Sequence, residues 1–366
     1  MYKGEIIKDT NTIMAMLRED RWFMDPGAYV MVDGQFGSTG KGILASLLGC
    51  VGADMIEIIT TNAGPNSGHT GSMFTEDSTF MTQQLPCSAI AMRDYSPLMA
   101  SPIIYLNGGS IIDPHKLGEE LSKFQIDEDR FFVHPCAAVI SSDDIEEDYK
   151  TLRAIASTGK GTGPALSKKL SRIHPKAVAK QTLATKFEWV RELKFNPNEH
   201  IIFVETSQGF SLGVNSEQFY PNTTSRECTV MQAISDARIP AQSVRKVAMS
   251  FRTYPIRVGD TENSSGGWYY DQYEIGFDEI GVAPEYTSVT KRQRRIATWS
   301  WQQFYDAIDA NQPDLIFLNF MNYLPDSVSS FNFVNTIKDR AHERTNKDVK
   351  MLLGYGPYIK NIEMVI

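Results

Sequence analysis

Ten residues, Asp33-Gly34-Gln35-Phe36-Gly37-Ser38-Thr39-Gly40-Lys41-Gly42, join glycines, hydroxyls and a lysine in the manner of a phosphate-binding loop. The strand-like run Ala28 to Asp33 leads into them, and the apolar, helix-like run Ile43 to Leu48 follows. Strand, glycine loop and helix converge backbone N–H groups and a helix N-terminus on anionic oxygens. The common phosphate loop reads G-x-x-x-x-G-K-[ST], with its hydroxyl on magnesium. Here Gln35 stands where the first glycine belongs, and Gly42 where the hydroxyl belongs. The segment is expected to bind phosphate, but not as an ordinary loop of that class.

Four further segments carry residues suited to related chemistry. In Asn62 to Gly71, His69 is flanked by glycine and threonine, a setting that suits an exposed ring able to hydrogen-bond an oxygen gaining negative charge. A turn histidine without function is the alternative. Ser157 to Pro164 is a second glycine, hydroxyl and lysine loop, followed by Lys168, Lys169 and Arg172; it could hold a monophosphate or be a surface loop before a solvated helix face. Glu205-Thr206-Ser207-Gln208-Gly209 ends a strong strand, where a glutamine amide can read a base or a reacting oxygen. A plain strand-to-turn junction is equally consistent. Between Thr290 and Arg295 lie four cations in five residues, suited to a dicarboxylate or phosphate because arginine forks pair with both carboxylate oxygens; a solvated charge run or a nucleic-acid patch is the alternative.

These loops need a frame. Short apolar runs recur at Ile56 to Ile59, Ile103 to Leu106, Phe131 to His134, Ile201 to Glu205, Val244 to Phe251, Leu315 to Asn319 and Met351 to Leu353. Helical patterns fall between several of them: Pro114 to Phe124, Thr229 to Ala237, Ser300 to Ala310 and Ser329 to Arg344. The alternation predicts an α/β fold around a mostly parallel sheet, with ligands at the carboxyl ends of its strands. Thr12 to Phe23 is expected to form a helix in an N-terminal extension, residues 1–27, ahead of a single catalytic domain, residues 28–366. Asp260 to Gly267 is expected to be a mobile surface loop.

A length of 366 residues with 42% hydrophobic content supports a full core. The four cysteines, Cys50, Cys87, Cys136 and Cys228, contain no C-x-x-C pair, so reduced thiols are expected rather than zinc ligands or disulfides. A formal charge of −8 argues against general nucleic-acid binding, which needs a basic face. No long uncharged apolar run appears, and the expectation is a soluble, cytoplasmic protein without membrane contact.

Taken in order, the segments resemble the adenylosuccinate synthetases. That family carries G-D-E-G-K-G-K, G-H-N-A-G-H-T, T-T-G-R-G-I-G-P, A-Q-G, S/T-R-V-G and T-T-G-R-R-R-R. The counterparts are Gly37 to Ile43, Gly64 to Thr70, Ser157 to Pro164, Ser207 to Gly209, Ile256 to Gly259 and Val289 to Arg295, within residues 28 to about 360. The resemblance implies a phosphate-loop-related α/β fold with loop insertions. It also implies a ligase that phosphorylates a purine 6-oxygen and lets the amine of L-aspartate displace the phosphate. It implies a catalytic group of Ser38, Lys41, His69 and Gln208. The nucleotide donor would meet Ser38, Thr39, Gly40, Lys41, Gly42, His69, Thr70, Asn319, Asn322 and Gly356. The monophosphate would meet Ser38, Asn66, Thr158, Gln208 and Thr224, with Arg172 from the second subunit of a homodimer. Val258, Thr290, Arg292 and Arg294 would hold aspartate, and Ser38 and Gly68 would hold Mg2+.

Two departures bear on the substrate. Ser38 and Thr39 replace the family's aspartate and glutamate, a loop similar to that of phage-encoded 2-aminoadenylosuccinate synthetases, which act on dGMP instead of inosinate. A short polar residue relieves crowding beside guanine's 2-amino group. Where the family reads the guanine of GTP with T-K-L-D, this chain has Asn319-Phe320-Met321-Asn322, and an asparagine pairs with adenine, so ATP or dATP is the expected donor. The expected product is N6-succino-2-amino-2'-deoxyadenylate, a precursor of 2-aminoadenine in phage DNA. The alternatives are an ordinary synthetase acting on IMP with GTP, and a catalytically silent purine-nucleotide binder. The N1 proton would leave through Ser38 and a water, or with help from Asp33.

Overall fold

Every residue of the strand Gly27–Asp33 is buried, because strands flank it on both edges and helices cover both faces. The computed structural model describes residues 5–98, 101–151, 155–287, 291–325 and 327–366. Its central sheet has ten strands: β1 Ile6–Ile7, β2 Gly27–Asp33, β3 Ile58–Thr61, β4 Ile103–Leu106, β5 Phe131–Val133, β6 Ile201–Glu205, β7 Val244–Arg252, β8 Leu315–Asn319, β9 Lys350–Gly354 and β10 Ile362–Val365. They lie in the order β1-β10-β9-β8-β7-β2-β6-β3-β4-β5. Pairing is parallel from β9 across to β5, and antiparallel where β10 joins β9 and β1 joins β10.

Side chains alternate along β2 and so divide the core in two. Tyr29 and Met31 face one cluster with Leu44, Leu47 and Leu48; Ala28, Val30 and Val32 face another with Ile234, Phe304 and Ile337. The helices that frame the site are α1 Thr10–Glu19, α2 Lys41–Val51, α3 Cys87–Tyr95, α4 Pro114–Lys123, α5 Ser142–Thr151 and α6 Thr162–Ser171. Helix α2 is buried along its whole length.

The expected apolar runs all form strands of the central sheet, and the antiparallel edge of β1 and β10 is an addition to them. The N-terminal stretch differs from the expected extension. Its helix spans Thr10–Glu19, capped by Asp9, which accepts from the Thr12 backbone N–H at 2.8 Å. Ile13, Leu17, Trp22 and Phe23 are fully buried in the α2 side of the core. Residues 6–23 are thus an edge strand and a core helix, drawn in by an apolar stripe at helical spacing. The loop after Asp260 also differs from a free surface loop. The Ser265 N–H donates to Asp260 Oδ1 at 2.6 Å, its carbonyl accepts from Arg257, and the Gly266 carbonyl accepts from Arg295.

Candidate active site

The segments following β2, β3, β6, β7, β8 and β9 all leave the carboxyl edge of the sheet, and they border one cleft of about 1000 Å³. Ligands in open α/β sheets collect at this edge, beside the strand where the order of connection reverses.

The phosphate loop is organised by Asp33. Its carboxylate accepts from the backbone N–H groups of Gln35 at 2.8 Å and Gly37 at 3.3 Å, from Thr39 Oγ1 at 2.5 Å and from Lys41 Nζ at 2.8 Å. Both departures from the common loop have a packing reason. The Gln35 side chain pairs with the backbone of Arg252, its amide donating at 3.2 Å and its carbonyl accepting at 2.9 Å, which stitches the loop to β7. At Gly42 a Cβ would lie 2.3 Å from the Thr70 carbonyl oxygen, so no hydroxyl-bearing side chain fits. Gly209 backs onto the same loop, where a Cβ would lie 2.2 Å from the Gly37 nitrogen. Ser38 takes a left-handed backbone (φ 57°) and is exposed at the cleft. Thr39 is fully buried with its hydroxyl turned to Asp33 and Ser250, away from the cleft residues.

The loop after β3 brings Asn66, Gly68, His69 and Thr70 to the cleft. His69 begins a short strand, His69–Ser72, paired antiparallel with Thr79–Thr82, and its Nε2 is 3.3 Å from Ser67 Oγ. Enclosure by protein, reinforced by the charge of Lys41, pushes the imidazole down to about 3. The ring is therefore neutral near pH 7. It is a half-buried hydrogen-bonding group rather than the exposed one expected.

After β6, Glu205 turns back into the protein and accepts from the Cys87 and Ser88 N–H groups at 2.9 and 3.1 Å, capping α3. Gln208 (φ 73°) receives Lys41 Nζ on its carbonyl at 2.7 Å. The residue borders the cleft, and its Nε2 is buried with no partner among the described residues.

The second glycine loop is held by α5. Asp148 accepts from Ser157 Oγ at 2.6 Å and from the Gly161 N–H at 2.7 Å, and Lys168 pairs with Asp144 at 2.7 Å. Thr158 and Thr224 border the cleft. Arg172 does not: it ends α6 in a left-handed turn (φ 62°), exposed beside Leu170 and Ile173, themselves 66% and 82% exposed. Of the aspartate set, Val258 and Arg294 border the cleft, and Thr290 lies outside the described residues. Arg292 stands apart from it, donating to the Ser157 carbonyl at 3.0 Å and the Gly259 carbonyl at 3.4 Å. In this state Arg292 ties the two loops together instead of presenting its fork.

Asn319, Asn322 and Gly356, the residues expected to meet the nucleotide donor, all border the cleft. Asn319 is wedged between glycines: a Cβ on Gly40 would lie 2.0 Å from its Nδ2, and one on Gly354 2.2 Å from its Oδ1. Its Oδ1 also accepts from the Phe320 N–H at 2.8 Å. Asn319 is a buttress of the loop, whereas Asn322 is exposed at the cleft. Sequence reasoning missed Arg252, Glu285 and Tyr323. The fully buried Arg252 guanidinium lies 3.8 Å above the Phe320 ring and pairs with Glu285, and the Tyr323 hydroxyl donates to Glu285 at 3.0 Å. A charge ending the apolar strand β7 was the available signal for Arg252; Glu285 and Tyr323 had none.

Among the described residues no group of three or more His, Cys, Asp or Glu is placed to hold a metal. Asp33 is committed to four donors. Ser38 in the phosphate loop and Gly68 in the loop after β3 border the same cleft, and a hydroxyl and a backbone carbonyl are hard neutral ligands of the kind that suit Mg2+.

The mostly parallel sheet carries at its carboxyl edge a phosphate loop, a cleft of about 1000 Å³ and an arginine-bearing loop, a setting suited to a nucleotide-dependent ligase. The chain belongs to the adenylosuccinate synthetase family, whose model matches residues 30–200 and 179–331. It is 35% identical over 356 residues to N6-succino-2-amino-2'-deoxyadenylate synthase of Vibrio phage phiVC8, covering 92% of this chain and 97% of the relative. Cyanophage S-2L succinoaminodeoxyadenylate synthetase, solved with dGMP and with dATP as an energy donor, superposes with a TM-score of 0.78 at 31% identity, covering 92% of this chain and 95% of that one. Adenylosuccinate synthetase from Plasmodium falciparum shares the fold, with a TM-score of 0.68 at 18% identity over 92% of this chain and 99% of that one. No helix among the described residues is long and apolar enough to cross a membrane.

Proposed function

We propose that the protein joins L-aspartate to C6 of dGMP, giving N6-succino-2-amino-2'-deoxyadenylate, with ATP or dATP as phosphate donor and with Mg2+. The observation that carries this reading is Ser38, exposed at the phosphate loop where the family places a carboxylate. A carboxylate there would crowd the guanine 2-amino group, whereas a shorter hydroxyl leaves room for it. The likeness to the phage enzymes, one of them solved with dGMP and dATP, supports the same substrates.

In this account the γ-phosphoryl group passes to O6 and leaves ADP or dADP. The aspartate amine then attacks C6 and phosphate departs with O6, while N1 and the amine give up the protons. Catalysis is positioning and charge stabilisation. Lys41 exchanges its contact with Asp33 for the phosphates. Neutral His69 donates a hydrogen bond to the transferring group. The unpartnered Gln208 Nε2 supplies a donor to the purine edge. Asn66, Thr158 and Thr224 hold the monophosphate, with Arg172 reaching over from a second subunit. The arginine of the acceptor loop that faces the cleft, Arg294, takes an aspartate carboxylate, and Asn322 reads adenine. Ser38 and Gly68 would hold Mg2+, which neutralises charge on the donor phosphates.

The test is a matrix of purified protein, Mg2+ and L-aspartate with each donor (ATP, dATP, GTP) and each acceptor (dGMP, GMP, IMP). Product from dGMP with adenine donors is expected. Product only from IMP with GTP overturns the reading, and binding without product from any pair marks a silent relative.

A further inference from the structure

Glu285 stands where three subsites meet. Both Nη atoms of Arg252 reach its carboxylate, Nη1 at 3.2 Å, and Tyr323 donates at 3.0 Å. Arg294 Nη1 lies farther off, 3.5 Å from Oε2, although the Arg294 backbone N–H is fixed to the Glu285 carbonyl at 2.8 Å. Burial alone would raise the Glu285 carboxyl; Arg252, Arg294 and Tyr323 outweigh it and hold it below the usual range. One carboxylate is thus shared between the fully buried Arg252 and the partly exposed Arg294, held closely by the first and loosely by the second.

The two arginines belong to different parts of the site. Arg252 packs on the face of Phe320, bonds the Ser38 carbonyl at 3.4 Å and joins the donor-base turn to the phosphate loop. Arg294 lies in the acceptor loop, and its Nε is buried without a partner among the described residues. Among the described residues the cluster has two cations and one anion, which leaves room for one more carboxylate; the Arg252 Nε also lacks a partner, but Arg294 is the arginine that borders the cleft and so is the open position.

Resting on the assignment of Arg294 to the amino acid and of Asn322, which shares one turn with Phe320 and Tyr323, to the donor base, we infer that Glu285 is a positioning residue that couples the two subsites. When a dicarboxylate pairs with Arg294, Glu285 is released to Arg252 and Tyr323, and the wall against the donor base becomes firmer. Donor binding in turn holds Glu285 on Arg252 and frees the Arg294 fork. Linkage makes the two effects equal.

The experiment measures the affinity of β,γ-methylene-ATP calorimetrically, with dGMP and Mg2+, in the presence and absence of saturating succinate, a dicarboxylate without the amine. In the parent protein succinate should tighten the nucleotide by about fivefold or more. In Glu285→Gln, still folded by thermal melt, that ratio should fall to near one; Glu285→Asp, which keeps the charge, should retain part of it. Should Glu285→Gln not fold, Tyr323→Phe removes one bond to the same carboxylate and should lower the ratio. A parent ratio of one, or an unchanged ratio in the variants, overturns the inference. Turnover of the parent on dGMP and aspartate is read separately. Product with an unchanged variant ratio defeats the coupling alone, and no product with a lost ratio defeats the ligase reading alone.

Discussion

Lys41 Nζ lies 2.8 Å from Asp33 Oδ2, and the two side chains are only 4% and 0% exposed. The lysine that would grip the donor phosphates is folded back on the loop's own carboxylate, which also receives two loop N–H groups. Removing the cation leaves a buried, uncompensated charge. Lys41→Met is expected to abolish turnover and to cost about 3–5 kcal/mol in denaturant unfolding. Adding Asp33→Asn should restore part of the stability and none of the activity. A Lys41→Met protein as stable as its parent would contradict this.

Gly42 follows from packing. A serine Cβ at this position would lie 2.3 Å from the Thr70 carbonyl oxygen, backbone that is held in a two-stranded ribbon. Gly42→Ser, which restores the common loop pattern, is expected to lower stability by about 1–3 kcal/mol and to reduce turnover. A gain in activity would show that the hydroxyl is accommodated.

His69 sets a pH dependence. Its folded-state value near 3 lies below the ordinary 6.5, so the unfolded chain binds the proton more readily. The contribution to stability is complete above about pH 6.5 and is lost as pH falls from there towards 3. Nuclear magnetic resonance of the ring should show no titration between about pH 8 and 5. His69→Ala should lower turnover by roughly 100-fold or more while dGMP still binds, and unchanged turnover would remove His69 from the chemistry.

Much of this was legible before any coordinates. Apolar runs announced the parallel strands because buried strands read as continuous Ile, Val and Phe, and the glycine loops announced the carboxyl edge. Two-residue β1 carried too little pattern to register, and α1 was set apart although its Ile13 and Leu17 stripe marks a core face. Residue types placed Ser38, His69, Gln208 and Arg294 at the site. They did not reveal that Thr39 turns inward, that Asn319 is a wedge or that Arg292 is tied to Ser157, because local spacing does not encode long-range hydrogen bonds. Arg252 and Glu285, 33 residues apart, meet only in the fold.

Arg172 is exposed and away from its own cleft, with apolar neighbours Leu170 and Ile173 open beside it. If it serves a partner's site, Arg172→Ala and His69→Ala are each impaired alone. Mixed, they form dimers with one intact site and regain activity. No rescue in subunit-exchange assays would count against the shared site.

The central claim is that Ser38 selects guanine over hypoxanthine. It is tested most directly by the ratio of kcat/KM for dGMP to that for IMP, with saturating dATP, Mg2+ and aspartate, in the parent and in Ser38→Asp. dGMP should be favoured in the parent by about 100-fold or more, and the preference should fall or reverse in the variant. A parent that prefers IMP, or a variant with an unchanged ratio, would contradict it.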